Sequence, residues 1–215
     1  MVNKVKERKS DIKFNITLSD EQKVAKQEVL THPFNFIIGN AGTGKTIFAT
    51  YLAISELFNK NFDRIIITRP TVGTEDNGFL PGTLEEKMEP WLIPIKSNLR
   101  KVYNHPEKIQ SLENESKIQI MALQHFRGNT FDNAICIVDE FQNLNKSQLR
   151  MAIGRLGKNS IMIFCGDYQQ IDLKNKNDSA IHDVKLLENS KHAYIVEFIE
   201  NHRHPALNEI LELLK

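Results

Sequence analysis

Short apolar runs rich in β-branched residues recur along the chain: FNFII (Phe34 to Ile38), RIIIT (Arg64 to Thr68), IQIMA (Ile118 to Ala122), AICIVDE (Ala134 to Glu140), SIMIFCGD (Ser160 to Asp167) and AYIVEFI (Ala193 to Ile199). They lack the alternation of a half-exposed strand, so each is predicted to be a strand covered on both faces. Helical spacing fills the intervals. IFATYLAISELF, Ile47 to Phe58, returns apolar residues every three or four positions. LSDEQKVAKQEVL, Leu18 to Leu30, reads as a helix opened by Ser19 as N-cap with Gln22 three residues on, the capping-box pattern. Strands alternating with helices predict an α/β fold with a mainly parallel sheet and helices on both faces.

Two stretches break the pattern. Residues 1–17 are basic and poorly patterned and read as a solvated, partly disordered arm, leaving 18–215 as the folded unit. Residues 71–117 interrupt the alternation with a Gly/Pro-rich turn, a helix ending near Trp91 and several prolines. Excursions of this length usually serve function or assembly, so this insert is the predicted contact region for a subunit or a nucleic acid.

With 215 residues the chain has room for one well-buried α/β domain, and its formal net charge of +1 gives no global attraction to polyanions. Contact with nucleic acid must then be local. Cys136 and Cys165 lie inside strand-like runs, where a thiol behaves as a small hydrophobe rather than half of a disulfide. Neither a secretory h-region nor a long apolar span occurs, so the expectation is a soluble, cytoplasmic protein with no membrane partner.

The chemistry concentrates where the first strand meets its helix. Gly39, Asn40, Ala41, Gly42, Thr43, Gly44, Lys45 and Thr46 spell GNAGTGKT, a full match to GxxxxGK[ST] between a strand and a helix. The glycines let successive N–H groups converge on a polyanion at the positive end of a helix dipole. Lys45 brings a compact charge to the outer phosphates, and the Thr46 hydroxyl can ligate Mg²⁺. The ligand class is a nucleoside triphosphate with its Mg²⁺; a phosphate cradle does not itself select the base.

An acidic partner should close the site, and the strand AICIV ends in Asp139 and Glu140. Asp139 is the candidate Mg²⁺ holder and Glu140 the group that polarises the attacking water. The next strand ends GDYQQIDL, which puts Gln170 at the same edge of the sheet, able to reach the outer phosphate or the water. Gln22 can read an adenine edge from the entering helix. In the tail, NHRHP offers Arg203 as an arginine finger, acting on its own site or a neighbour's.

TRPTVGTEDNGFLPGTLEEKMEPWLIPI (Thr68 to Ile95), HFRGNTFDNAICIVDEFQN (His125 to Asn143), GDYQQIDL and NHRHP follow GNAGTGKT in that order. Together these motifs resemble the PhoH family of P-loop ATPases, several of which are carried by bacteriophages; the likeness runs from about Gln22 to the tail. The resemblance implies a RecA-like fold related to the core of superfamily 1 helicases, Mg²⁺-dependent ATP hydrolysis, and a ring-shaped homo-oligomer such as a hexamer with Arg203 acting in trans. It also implies association with RNA or single-stranded nucleic acid. Thr68 to Pro70 would face that nucleic acid, Asp139 to Gln142 would be the acidic box and Gly166 to Gln170 the third motif. Phe141, Asn40 and Asn201-His202 depart from the residues usual there without removing a charged catalytic group.

The expected function is therefore an ATPase with Lys45, Glu140, Gln170 and Arg203 as catalytic residues, coupled to nucleic-acid binding or remodelling. Arg69, Arg127 and the turn around Phe126, with Arg100-Lys101 and the basic arm, are the candidate nucleic-acid contacts. The alternative is a nucleotide-switched assembly module that hydrolyses little.

Overall fold

A computed structural model describes residues 13–70 and 84–202, together with Ala206, Ile210 and Leu213. Its strands are β1 (Phe34–Gly39), β2 (Arg64–Thr68), β3 (Ile118–Ile120), β4 (Ala134–Asp139), β5 (Ile161–Gly166) and β6 (Ala193–Phe198). All pair in parallel in one sheet of order β3-β2-β4-β5-β1-β6. The helices are α1 (Asp20–Val29), α2 (Lys45–Phe58), α3 (Leu84–Val102), α4 (Pro106–Asn114) and α5 (Lys146–Ile153). This is the expected RecA-like arrangement.

Side-chain alternation along buried strands sends adjacent residues to opposite faces, and two cores result. Ile37, Ile65, Ile67, Ile135, Ile137 and Ile163 pack with Leu52, Leu99 and Val102 from the helices. On the other face Phe36, Ile66, Val138, Met162 and Phe164 pack with Phe141, Leu149 and Ile181. The inner strands β1, β2, β4 and β5 are covered on both faces, which is why they read as continuous apolar runs, whereas the edge strands β3 and β6, expected to be covered likewise, are only partly buried.

The order of strands positions the site. Strand β5 lies between β1 and β4, so the loop after β5 falls between the glycine loop after β1 and the acidic end of β4. Three motifs far apart in sequence thus share one edge of the sheet, where ligands of open α/β sheets bind.

Two stretches differ from their sequence reading. Helix α3 does not end near Trp91 but runs on through Pro94 to Val102. Ile95, Leu99 and Val102, spaced as one helical stripe, are buried in the core beside α2. Burying such side chains contributes roughly 1.5–3 kcal/mol each, comparable in sum to the cost of roughly 3 kcal/mol for each of the two prolines, Pro90 and Pro94, inside the helix. This half of the insert is therefore a covering layer of the sheet; residues 71–83 lie outside the described residues.

Within residues 13–17, counted with the solvated arm, Phe14 and Ile16 pack against the core while Lys13, Asn15 and Thr17 stay exposed. Phe14 meets Tyr51 edge-on with ring centroids 4.8 Å apart, and Asn15 N–H donates to Val102 O at 3.0 Å. Phe14, which also meets Tyr103, and Ile16 anchor a segment whose composition suggests no structure. No helix among the described residues is long and apolar enough to cross a membrane.

Candidate active site

Strand β1 delivers the chain to Gly39, and α2 starts at Lys45. The intervening loop turns sharply: Gly42 and Gly44 take φ of 94° and 78°, in the left-handed region. A Cβ on Gly44 would also sit 2.8 Å from Gln22 Nε2, so a larger residue there would displace Gln22 as well as strain the loop. Thr43 Oγ1 donates to Asn40 O at 2.9 Å and closes the turn. No side chain caps the start of α2, so its first N–H groups are left for an anion. Lys45 Nζ lies across the loop, donating to Gly39 O at 2.8 Å and Asn40 O at 2.9 Å. A polyphosphate fits this cradle of amide donors and one ammonium.

Opposite stands the end of β4. Asp139 is buried, and Thr46 Oγ1 donates to its Oδ1 at 2.6 Å, which joins the loop to the acidic strand across 93 residues of sequence. Burial first, and then the charge of Glu140, push the Asp139 carboxyl up to about 6 against the opposing Thr46 hydroxyl and Arg69 guanidinium. A hydroxyl and a carboxylate side by side form a hard, oxygen-only donor pair, which suits Mg²⁺ completed by water and phosphate oxygens. Thr46 and Asp139 would hold it.

Glu140 follows with φ of 53°, unusual for a residue with a side chain. Its carboxylate is gripped from two sides: Arg69 Nη2 stands 3.3 Å from Oε1, and Gln142 Nε2 donates to Oε2 at 2.5 Å. Arg69 Nη1 also lies 3.8 Å from Asp139 Oδ2. In this arrangement Arg69, expected to contact nucleic acid, sits against both carboxylates of the acidic pair.

Gly39 ends β1 at the root of the loop, and a cleft of about 640 Å³ opens above it. The cleft brings together Gln22, Ala41, Gly42, Gly44, Lys45, Thr46, Asp139, Glu140 and Gln170. Gln22 serves its own helix as well, since its Oε1 accepts from Ser19 N–H at 3.2 Å in the capping box. Cys165 forms part of the cleft floor; burial pushes its thiol well up and keeps it neutral. Arg203 lies outside the described residues. Its neighbour His202 donates its backbone N–H to Gly42 O of the same glycine loop at 3.0 Å.

Several candidates for nucleic-acid contact look different in place. Phe126 is fully buried, its ring 4.8 Å from that of Phe131, and offers no stacking face. Arg127 and Arg100 are exposed. Lys101 lines the same cleft with Asn98, which the sequence hides because the prolines beside Trp91 suggest that the helix ends there. Three residues apart, the two share one side of α3 next to its buried stripe.

The profile of the family described as "PhoH-like protein" matches residues 16–215. A PhoH-like protein of Synechocystis sp. (strain ATCC 27184 / PCC 6803 / Kazusa) is 41% identical over 186 residues, covering 84% of this chain and 56% of that protein. Protein PhoH of Escherichia coli (strain K12) is 37% identical over 166 residues, covering 76% and 47%. The chain thus spans about half the length of these curated relatives. Among solved structures, the large terminase from a thermophilic bacteriophage superposes with a TM-score of 0.57 at 11% identity, over 93% of this chain and 51% of that one. A likeness at that identity is one of fold.

Proposed function

Because this chain belongs to the PhoH family, we propose that it is a Mg²⁺-dependent ATPase whose turnover is coupled to binding or remodelling RNA or single-stranded DNA in the cytoplasm. The observation that carries the proposal is the Thr46–Asp139 hydrogen bond of 2.6 Å, which faces the phosphate cradle to the acidic pair. Bound Mg²⁺ would draw charge from the phosphate oxygens. The chain's own residues do the rest. The loop amides and Lys45 hold the phosphates in line, and Gln22 borders the cleft on the side of α1, where it can read the base. Glu140 takes the proton of the attacking water, with Gln170 on the loop beside it.

Nucleic-acid coupling rests on the family resemblance and on basic groups near the cleft, Lys101 among them. ATP turnover measured with and without RNA or single-stranded DNA across a salt series tests it. We expect stimulation that falls steeply as salt rises. Turnover indifferent to both polymers at low salt contradicts the coupling.

The proposal includes a ring-shaped homo-oligomer in which Arg203 reaches a neighbour's nucleotide. One contact favours a second reading, action within the same subunit: His202 is tied to Gly42 of its own chain. Mixing inactive Arg203→Ala and Lys45→Ala proteins separates the two. Recovered turnover supports action in trans, and silence in a mixture shown to contain hetero-oligomers supports action in cis.

A further inference from the structure

Gln142 is fully buried beside the cleft, and both its amide donors and its amide oxygen are engaged by functional elements. Nε2 donates to Glu140 Oε2 at 2.5 Å and to Gln170 O at 3.0 Å, while Oε1 accepts from Asp167 N–H at 3.1 Å. Its backbone carbonyl accepts from Ser179 Oγ at 2.5 Å. The next residue repeats the pattern: Asn143 Nδ2 donates to Asp172 Oδ2 at 3.1 Å, and its Oδ1 accepts from Asp172 N–H at 2.8 Å.

The short turn after Glu140 is thereby stitched to the segment that follows β5. Gly166 makes the approach feasible, because a Cβ there would lie 2.5 Å from Phe141 Cε1 and 3.2 Å from Gln142 Oε1.

The chemistry of an amide matters here. A single –NH₂ group supplies two donors, and Gln142 divides them between a carboxylate and the loop that carries Gln170. Glutamate has the same length and no donors. Methionine has neither charge nor donor. Building on the hydrolytic reading above, we propose that Gln142 is a positioning residue: it aims the Glu140 carboxylate and locks it to the 167–170 loop, so that both adopt one catalytic geometry. Arg69 grips the other carboxylate oxygen from a half-buried position at the end of β2. Gln142 is the inner, fixed partner.

The test compares Gln142→Glu and Gln142→Met with Glu140→Gln in the full chain, reading kcat, KM and the affinity for an unreactive ATP analogue. We expect kcat to fall about 10- to 100-fold in both Gln142 variants, as displacement of a reacting group by about 1 Å does, with KM and analogue affinity nearly unchanged. Gln142→Glu combined with Glu140→Gln should be no slower than Glu140→Gln alone, because the two residues act through one carboxylate.

Full kcat in either folded Gln142 variant, with Glu140→Gln inactive, overturns the inference and leaves the hydrolytic reading standing. So does a double variant slower by the product of the single effects. Glu140→Gln with normal turnover overturns both. If the charge conflict in Gln142→Glu prevents folding, Gln142→Met carries the same comparison of kcat with KM.

Discussion

Replacing Glu140 by glutamine should lower ATP turnover by about 10²- to 10⁴-fold while nucleotide binding persists, the loss typical of removing a positioned general base. The substitution is nearly isosteric. Asparagine and glutamine tolerate positive φ about as well as their acids, so the strained backbone at φ 53° should survive it. Binding should survive because the phosphate contacts come from Lys45 and the loop amides. A steady-state assay with a parallel titration of an unreactive ATP analogue checks both halves. Unchanged turnover with nucleotide bound would favour the alternative of a nucleotide-driven assembly switch.

Asp139→Asn should produce two effects of opposite sign. Loss of the carboxylate removes the charge opposite Thr46, and affinity for Mg²⁺ with nucleotide should fall on the order of 100-fold, the upper range for losing a partner that acts through the metal's water shell. The nucleotide-free protein, by contrast, should become more stable at alkaline pH. The Asp139 carboxyl is raised to about 6 from 3.8, mainly by burial and next by Glu140. A raised acid favours the fold below its unfolded pKa, and that contribution is lost as pH climbs through about 6.

The shift corresponds to about 3 kcal/mol as an upper estimate, at 1.36 kcal/mol per unit. Wild type should therefore lose stability between about pH 4 and pH 7 while Asp139→Asn does not. At pH 8 the variant should melt several degrees higher, given about 2–4 °C per kcal/mol for a domain of this size. Thermal melts of both proteins across this range provide the check. A variant less stable than wild type at pH 8 would mean that Arg69 and Thr46 already compensate the buried charge.

The contrast between cradle and anchors shows what a sequence exposes. The glycine loop was legible because its function is local: strand, turn and helix follow one another, and each glycine acts through its own φ. The capping box of Ser19 and Gln22 was legible for the same reason. Gln142 was named only as part of the acidic box because its partners, Asp167 and Gln170, lie 25 and 28 residues away. Their meeting depends on β5 being inserted beside β4, which no local pattern encodes.

The pairing of Arg69 with Glu140 was hidden likewise, since a basic residue after a strand suggests a solvated or phosphate-facing group. Phe126 misled in the opposite direction. An aromatic beside Arg127 suggested stacking, yet Phe126 fills the core against Phe131. Helix α3 continued past Trp91 because tertiary burial of Leu99 and Val102 overrode what proline signals locally.

The central claim is that the start of α2 and the end of β4 together enclose a nucleoside triphosphate with its Mg²⁺. Calorimetric titration of an unreactive ATP analogue with Mg²⁺ into wild type and Lys45→Ala tests it most directly. Saturable binding at one site per chain is expected, weakened about tenfold or more in the variant and strongly reduced when Mg²⁺ is chelated. Equal affinity in both proteins, or heat that ignores the metal, would contradict it.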